Sequence, residues 1–151
     1  MPTETRSALR LWVVLNRATH SVEEQLRRQV EGHGLSFTEF AVLEVLLSQG
    51  ALPIGEIGGR VLRASGSMTY VIDKLEQRGL LRRRACASDR RVIYGELTPE
   101  GQSLIERVFA EHAGLLAELC SGLAPAEQEA TADLLKRLGL HAHAFRPATV
   151  A

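Results

Sequence analysis

The chain has 151 residues, which fits one domain of ordinary size, and its hydrophobic content of 45% is enough for a single core. The N-terminal residues lack an apolar signal segment, and no stretch approaches the roughly 20 apolar residues of a membrane span, so we expect a cytoplasmic protein without membrane contact. The net charge is zero, but residues 60–91 hold nine basic and three acidic residues, a segregation typical of a basic binding face on an acidic body.

Two helices are predicted in the first 50 residues. Apolar residues recur at helical spacing from Ser7 to Val30, which indicates a long amphipathic helix that ends at Gly32. Ser36 followed by Glu39 has the form of a capping box, and the second helix that it opens ends at Gly50.

Two short helices with a tight connection follow, and they form a helix-turn-helix candidate. Pro53 starts the first of them, Ile54–Leu62, although three glycines weaken its intrinsic propensity. The second is predicted over Gly66–Arg78, with Ser65 as its N-cap and Gly79 as its left-handed C-cap. Its apolar face consists of Met68, Val71, Ile72 and Leu75.

A two-stranded wing is predicted after the helix-turn-helix. Residues 80–84 and 92–97 have the composition of strands, and a polar tip at residues 87–90 separates them. The predicted wing therefore spans Leu81–Leu97.

The C-terminal part is predicted to contain two more helices. Thr98 is the expected N-cap of a long amphipathic helix that begins at Pro99 and ends at Ser121, and Pro125 begins the last helix. The terminal helices expose more apolar surface than one small wing domain can cover, which favours a homodimer.

Together these elements predict a mainly α fold with a small β-wing. A winged helix-turn-helix core at residues 36–97 is flanked by dimerisation helices at residues 7–32 and 98–141, all within one domain spanning residues 1–151.

Three sequence motifs in this order resemble the MarR family of bacterial regulators. They are the stretch from Ser67 to Leu81, then Asp89-Arg-Arg91, then Leu97-Thr-Pro-Glu-Gly101, and the resemblance extends from about Leu9 to Leu138. The stretches 65–72, 83–86 and 90–94 further resemble the branch of the family that answers to quinones and related phenolic or electrophilic compounds. The chain departs from the family pattern at residues 57–59 and at Ala124.

The N-terminal part of the second helix of a helix-turn-helix enters the major groove of DNA, where side chains reach base edges. The residues expected to contact DNA from this helix are Ser65, Ser67, Met68, Thr69, Tyr70 and Lys74. For Met68, packing in the core is the alternative interpretation.

On the wing, the resemblance implies that Arg91 enters the minor groove while Asp89 orients it. Arg90 and Arg84 are further candidates, although neighbouring strand positions face opposite sides, so Arg82, Arg83 and Arg84 cannot all reach phosphate together. A solvated turn with an Asp–Arg pair is the alternative interpretation of the tip.

The resemblance also implies that a small aromatic ligand binds between the winged domain and the dimer helices. The candidate ligand-binding residues mix flat apolar surface with polar groups and are Trp12, Asn16, His20, Phe40, Phe109 and His112. Ordinary core or interface roles are the alternative for each of them. No metal site and no cofactor are expected, since the histidines share no spacing with carboxylates or thiols.

Two cysteines lie far apart and outside any C-x-x-C pattern, which argues against a disulfide scaffold. Cys86 follows three arginines, and such a neighbourhood can lower the pKa of a thiol, so it is a redox or electrophile-sensing candidate. The alternative is a half-exposed strand residue without a sensing role. Cys120 is interpreted as packing.

The sequence thus predicts a DNA-binding transcription regulator that is a repressor released from a palindromic operator by a phenolic or quinone-type ligand. A thiol-based repressor using Cys86 and a winged-helix protein-interaction module are the alternatives. An enzyme is disfavoured because the sequence contains no nucleophile elbow, zinc-protease motif or phosphate-binding loop.

Overall fold

The computed structural model describes residues 2–61, 67–89 and 91–145, which form six helices and three strands. In chain order these are α1 (Thr3–Gly32), α2 (Phe37–Gln49), β1 (Leu52–Pro53), α3 (Ile54–Arg60), α4 (Met68–Gln77), β2 (Leu81–Ala85), β3 (Ile93–Leu97), α5 (Pro99–Cys120) and α6 (Pro125–Ala144). The predicted fold class, mainly α with a small β-wing, is confirmed. No helix in the described ranges is long and apolar enough to cross a membrane.

The chain divides into two compact units, residues 1–115 and residues 116–151. The core of the first unit is built around α2, which buries apolar side chains on most of its circumference because α1, α3 and α4 all pack against it. The predicted capping box is present: the Glu39 N–H donates to Ser36 Oγ, and the Ser36 N–H donates to the Glu39 carboxylate at 2.6 Å. Gly50 ends the helix at a φ of 75°.

The second helix of the helix-turn-helix begins later than predicted. It starts at Met68, and its N-cap is Ser67, whose hydroxyl oxygen accepts from the Tyr70 N–H. Ser65, the cap predicted from sequence, lies outside the described residues. The C-terminal prediction is confirmed: Gly79 has a φ of 70°, and the Leu80 N–H donates to the Leu75 carbonyl at 3.0 Å, as in a Schellman motif.

The wing belongs to a three-stranded sheet and not to the two-stranded one predicted. The strand order is β1-β3-β2, all antiparallel, with Leu52 opposite Gly95 and Leu81 opposite Leu97. The sequence did not predict β1, because a strand of two residues is too short to show an alternation of apolar and polar residues. A Cβ on Gly95 would lie 3.1 Å from the Ile57 side chain, so this glycine allows α3 to pack closely on the sheet.

Other predicted boundaries shift by a few residues. α1 begins at Thr3 instead of Ser7, and α6 continues to Ala144 instead of residue 141. α3 ends at Arg60 because Val61 is already extended, with a ψ of 120°, whereas the sequence predicted Leu62 as its end. Both wing strands begin one residue later than predicted.

The start of α5 is fixed on the turn between α4 and β2. The Thr98 hydroxyl donates to the Gly79 carbonyl at 2.6 Å and accepts from the Gly101 N–H at 3.0 Å, as its predicted capping role requires. A Cβ on Gly101 would lie 1.9 Å from the Leu80 carbonyl oxygen. The Thr-Pro-Glu-Gly motif therefore combines a cap with a close approach that only glycine permits.

Apolar side chains remain exposed on the terminal helices. In the first unit, Trp12 on α1 is 64% exposed, and several leucine and valine neighbours are also exposed. In the second unit, α6 buries none of its side chains and exposes Leu134 and Leu140. Ala124 precedes the first turn of α6, and its N–H donates to the Glu127 carboxylate at 2.8 Å.

Replacing Gly101 by Ala should lower the free energy of unfolding by about 1–3 kcal/mol, because the added methyl group overlaps backbone that cannot move freely. Gly59→Ala is the matched control: Gly59 is helical and exposed with nothing within 4 Å of a Cβ, so this variant should be neutral or gain up to about 1 kcal/mol. Chemical denaturation of both variants measures the difference, and equal effects would contradict the close approach of Gly101 to Leu80.

Candidate nucleic-acid interface

The buried carboxylate of Glu39 fastens α4 to α2. Glu39 is only 2% exposed, and its Oε1 atom lies 3.2 Å from Lys74 Nζ and 3.1 Å from an Arg78 guanidinium nitrogen. Burial raises the pKa of the Glu39 carboxyl, but hydrogen bonds from the Ser36 N–H and from Lys74 outweigh it and hold the pKa below its ordinary value. One side chain therefore closes the N-terminus of α2 and pairs with two cations of α4.

Arg83 on β2 fastens α4 to the wing. Its guanidinium pairs with Asp73 at 2.5 Å and also with Glu76, and both carboxylates belong to α4. The hydrogen bond to Asp73, followed by that to Glu76, raises the pKa of Arg83 above its ordinary value in spite of burial. Since α4 is held by α2 on one side and by β2 on another, its orientation relative to the wing is fixed by charge as well as by apolar packing.

The N-terminal turn of α4 presents polar side chains to solvent. Ser67, Thr69 and Tyr70 are exposed, with Tyr70 at 66%, whereas Met68 is half-buried. A Cβ on Gly58 would lie 3.5 Å from the Met68 side chain, which places Met68 against α3. The first turn thus offers a hydroxyl, a phenol and a capping serine outward, while Met68 contributes to the packing of the two helices.

The wing tip carries an ion pair on an exposed turn. The Asp89 carboxylate accepts from the Arg91 N–H at 3.0 Å and from its Nε at 3.2 Å, and the Arg91 side chain is 91% exposed. The hydrogen bond from the Arg91 side chain is the main cause that lowers the pKa of Asp89. Arg90 lies outside the described residues. The Asp–Arg pair holds the Arg91 side chain at the tip with its guanidinium accessible.

The outer face of the wing carries a second ionic cluster. Arg82 pairs with Glu96 at 2.7 Å and Arg84 with the same carboxylate at 3.1 Å, while the Arg84 guanidinium lies 5.4 Å from the Tyr94 ring centre. The hydrogen bond from Arg84, followed by that from Arg82, lowers the pKa of Glu96.

Only two of the six ligand candidates are brought together within the first unit. The Phe40 and His112 ring centres lie 4.6 Å apart, and His112 Nδ1 is 3.2 Å from Gln29 Oε1. Burial lowers the pKa of His112. The other four, which are exposed, are Trp12, Asn16, His20 and Phe109. Trp12 lies 17 residues before Gln29, about 25 Å along the helix at about 1.5 Å per residue.

A mainly apolar cavity of about 390 Å³ lies beside Phe40, and His112 does not line it. Phe37 and Phe40 line it, and so do Arg60 and Val61 at the C-terminal end of α3. Phe37 was not among the sequence candidates, although its place three residues before Phe40 on one helix face could have identified it.

Cys86 is half-exposed beside the wing tip, and its Sγ lies 3.2 Å from Ser88 Oγ. The Ser88 hydroxyl, followed by backbone N–H groups of Asp89 and Ser88, lowers the pKa of the thiol. The prediction that the neighbouring arginines cause this shift is wrong, because Arg82, Arg83 and Arg84 are all paired with carboxylates.

The first turn of α4 and the Arg91-bearing wing tip are both exposed, and α3, α4 and the three-stranded sheet carry them. This arrangement defines a winged helix-turn-helix protein of the DNA-binding class. The MarR family model matches residues 35–93 of the chain. The chain is 44% identical to the transcriptional regulator MhqR of Bacillus subtilis over 93% of its own length and 97% of that protein. It is 30% identical to the transcriptional repressor MdtR of the same organism, over 78% of this chain and 76% of that one.

Among solved structures, BpsR of Bordetella bronchiseptica superposes with a TM-score of 0.73 at 27% identity, covering 83% of this chain and 90% of that one. The chain therefore belongs to the MarR family of transcription regulators. Members of this family bind DNA and act as dimers, and they are not enzymes.

Replacing Glu39 by Gln should lower the free energy of unfolding by about 2 kcal/mol at neutral pH, because hydrogen bonds to charged groups are removed at a buried site. Since folding lowers the pKa of Glu39, its contribution is complete above about pH 5 and disappears as the pH falls through the folded-state pKa. Denaturation curves of wild type and variant, recorded from neutral to acidic pH, should converge in acid.

Glu56→Gln is the control, because it removes an exposed partner of Arg60 and should change the free energy of unfolding by less than about 0.5 kcal/mol. A difference between wild type and Glu39→Gln that stays constant from about pH 6 to about pH 3 would contradict the assignment.

Proposed function

We propose that this MarR-family regulator is a cytoplasmic repressor that binds an inverted-repeat operator as a homodimer and is released by a small phenolic or quinone-type ligand. The observation that carries the DNA-binding part is the exposed first turn of α4, with Thr69 and Tyr70 outward on a helix fixed from two sides. The similarity to MdtR, a repressor, supports the direction of the effect.

Selection of bound fragments from random duplex DNA tests the operator. Two copies related by a two-fold axis would place their α4 helices, the recognition helices, in successive major grooves, so the selected site should be an inverted repeat with half-sites about one helical turn apart. The apolar surface exposed on α1 supports the dimer. A selected site without dyad symmetry, or a monodisperse monomer at micromolar concentration, would refute this part of the proposal.

Replacing Arg91 by Ala should weaken operator binding and reduce the slope of log K against log salt by roughly 0.9 for each phosphate that is no longer neutralised. The variant should fold as the wild type does, because the side chain is exposed at the tip. Arg28→Ala removes the same charge from α1 and serves as the control in a fluorescence titration. Unchanged DNA binding together with a lowered melting temperature would assign Arg91 a structural role instead.

The proposed ligand site is the cavity beside Phe37 and Phe40. Its volume is typical of a small-molecule site. Its lining is mainly apolar but includes Glu44 and Arg60, which suits an aromatic ring that carries a polar substituent. Arg60 and Val61 end α3, the helix that precedes the recognition helix, so a ligand here would bias the position of α4. The related BpsR, whose DNA binding is regulated by 6-hydroxynicotinic acid, supports an aromatic effector.

Thiol chemistry at Cys86 is the competing input, favoured by the lowered pKa of that thiol. Treating wild type and Cys86→Ser with a phenol and with a quinone, while operator binding is followed, separates the two. Release that persists in Cys86→Ser and is reversed by dilution supports the cavity. Release that is abolished in Cys86→Ser, and that resists dilution in the wild type, would make Cys86 the sensor.

A further inference from the structure

In the described part of the basic segment that suggested a DNA-binding face, the positive charges are paired. Every basic side chain of residues 60–91 that lies in the described ranges pairs with a carboxylate of the chain itself. Arg63 and Arg90 are outside those ranges. A count of arginines therefore overstates the number of cations that are accessible to phosphate.

The wing cluster differs from the other pairs in its geometry. Arg82 stands directly opposite Glu96 in the β2–β3 register, and Arg84 stands opposite Tyr94, so all four side chains share one face of the sheet. Glu96 is 18% exposed, whereas the two arginine side chains are 64% and 52% exposed. A single, largely covered carboxylate thus holds two guanidinium groups that are themselves more than half exposed.

The cluster lies close to a surface expected to meet DNA. Arg82 and Arg84 lie on β2, the strand that leads into the wing tip, and Arg84 is the last but one residue of that strand. On the opposite face of the same strand, Arg83 is turned towards α4 and its two carboxylates. Arg82 and Arg84 are therefore the strand arginines that phosphate could recruit.

We propose that Glu96 is a specificity-determining residue that withholds Arg82 and Arg84 from phosphate and thereby lowers the affinity for duplex DNA lacking the operator. Non-specific binding depends almost entirely on phosphate contacts. A protein that makes no base contacts can shift on the duplex until each cation meets a phosphate, whereas base contacts fix its register on the operator. Freed arginines therefore strengthen non-specific binding more than operator binding.

The test measures binding of purified dimer to an operator duplex and to a scrambled duplex over a range of salt concentrations. Glu96→Gln keeps the size and a hydrogen-bond acceptor while removing the charge. It should bind the scrambled duplex about fivefold more tightly or more near physiological salt, with a slope steeper by about 0.9 for each additional phosphate neutralised, and operator binding should gain less. Glu24→Gln is the matched control, because it removes the partner of Arg28 on α1 with the same change of net charge. It should leave the affinity for both duplexes unchanged.

A triple variant tests whether the gain in affinity comes from the two arginines and not from a change in the wing caused by Glu96→Gln. Adding Arg82→Gln and Arg84→Gln to Glu96→Gln should abolish the gain on the scrambled duplex. Unchanged affinity and slope on that duplex, an equal gain on both duplexes, or a gain that survives removal of both arginines would overturn the inference. The inference rests on the proposed operator function only where it compares the affinities for the operator and the scrambled duplex. If the wild type showed no preference for the operator, the proposed function would be refuted, but binding of Glu96→Gln to the scrambled duplex would still test the role of Glu96.

Discussion

The buried carboxylate of Glu39 is the interaction on which the arrangement of the recognition helix depends. It caps α2 through the Ser36 N–H and pairs with Lys74 and Arg78 of α4. Because the carboxylate itself is buried, leaving it without partners costs more than losing an exposed ion pair. Arg83 completes the arrangement from the wing, so the two surfaces that we propose to contact DNA are joined by charged contacts through α4.

This architecture connects the proposed ligand site to the surface that we propose binds DNA. The cavity beside Phe40 is walled by the end of α3, and α3 contacts the recognition helix through Gly58 and Met68. A ligand changes DNA affinity only by binding one conformer better than another, so a ligand that displaces the end of α3 would act through this helix pair. Because Arg83 joins the wing to α4, we expect the wing to move with that helix.

Local signals in the sequence predicted much of the fold. The capping box at Ser36, the left-handed Gly79 and the cap at Thr98 depend on residues within a few positions of one another, and all three are present. The two-residue strand β1 was missed because its pairing with β3 is long-range. Long-range charge pairs were equally hidden: Glu39 is 35 or more residues from its α4 partners, and nothing local indicates that Arg83 faces Asp73.

The most direct test of the central role of Glu39 is a double-mutant cycle with Arg78. The free energy of unfolding is measured by chemical denaturation at neutral pH for wild type, Glu39→Gln, Arg78→Gln and the double variant. The cycle should give an interaction energy between Glu39 and Arg78 above about 1 kcal/mol, because the two side chains are in direct contact and the carboxylate is buried. Additive effects, within about 0.5 kcal/mol, would contradict the account and reduce Glu39 to a helix cap.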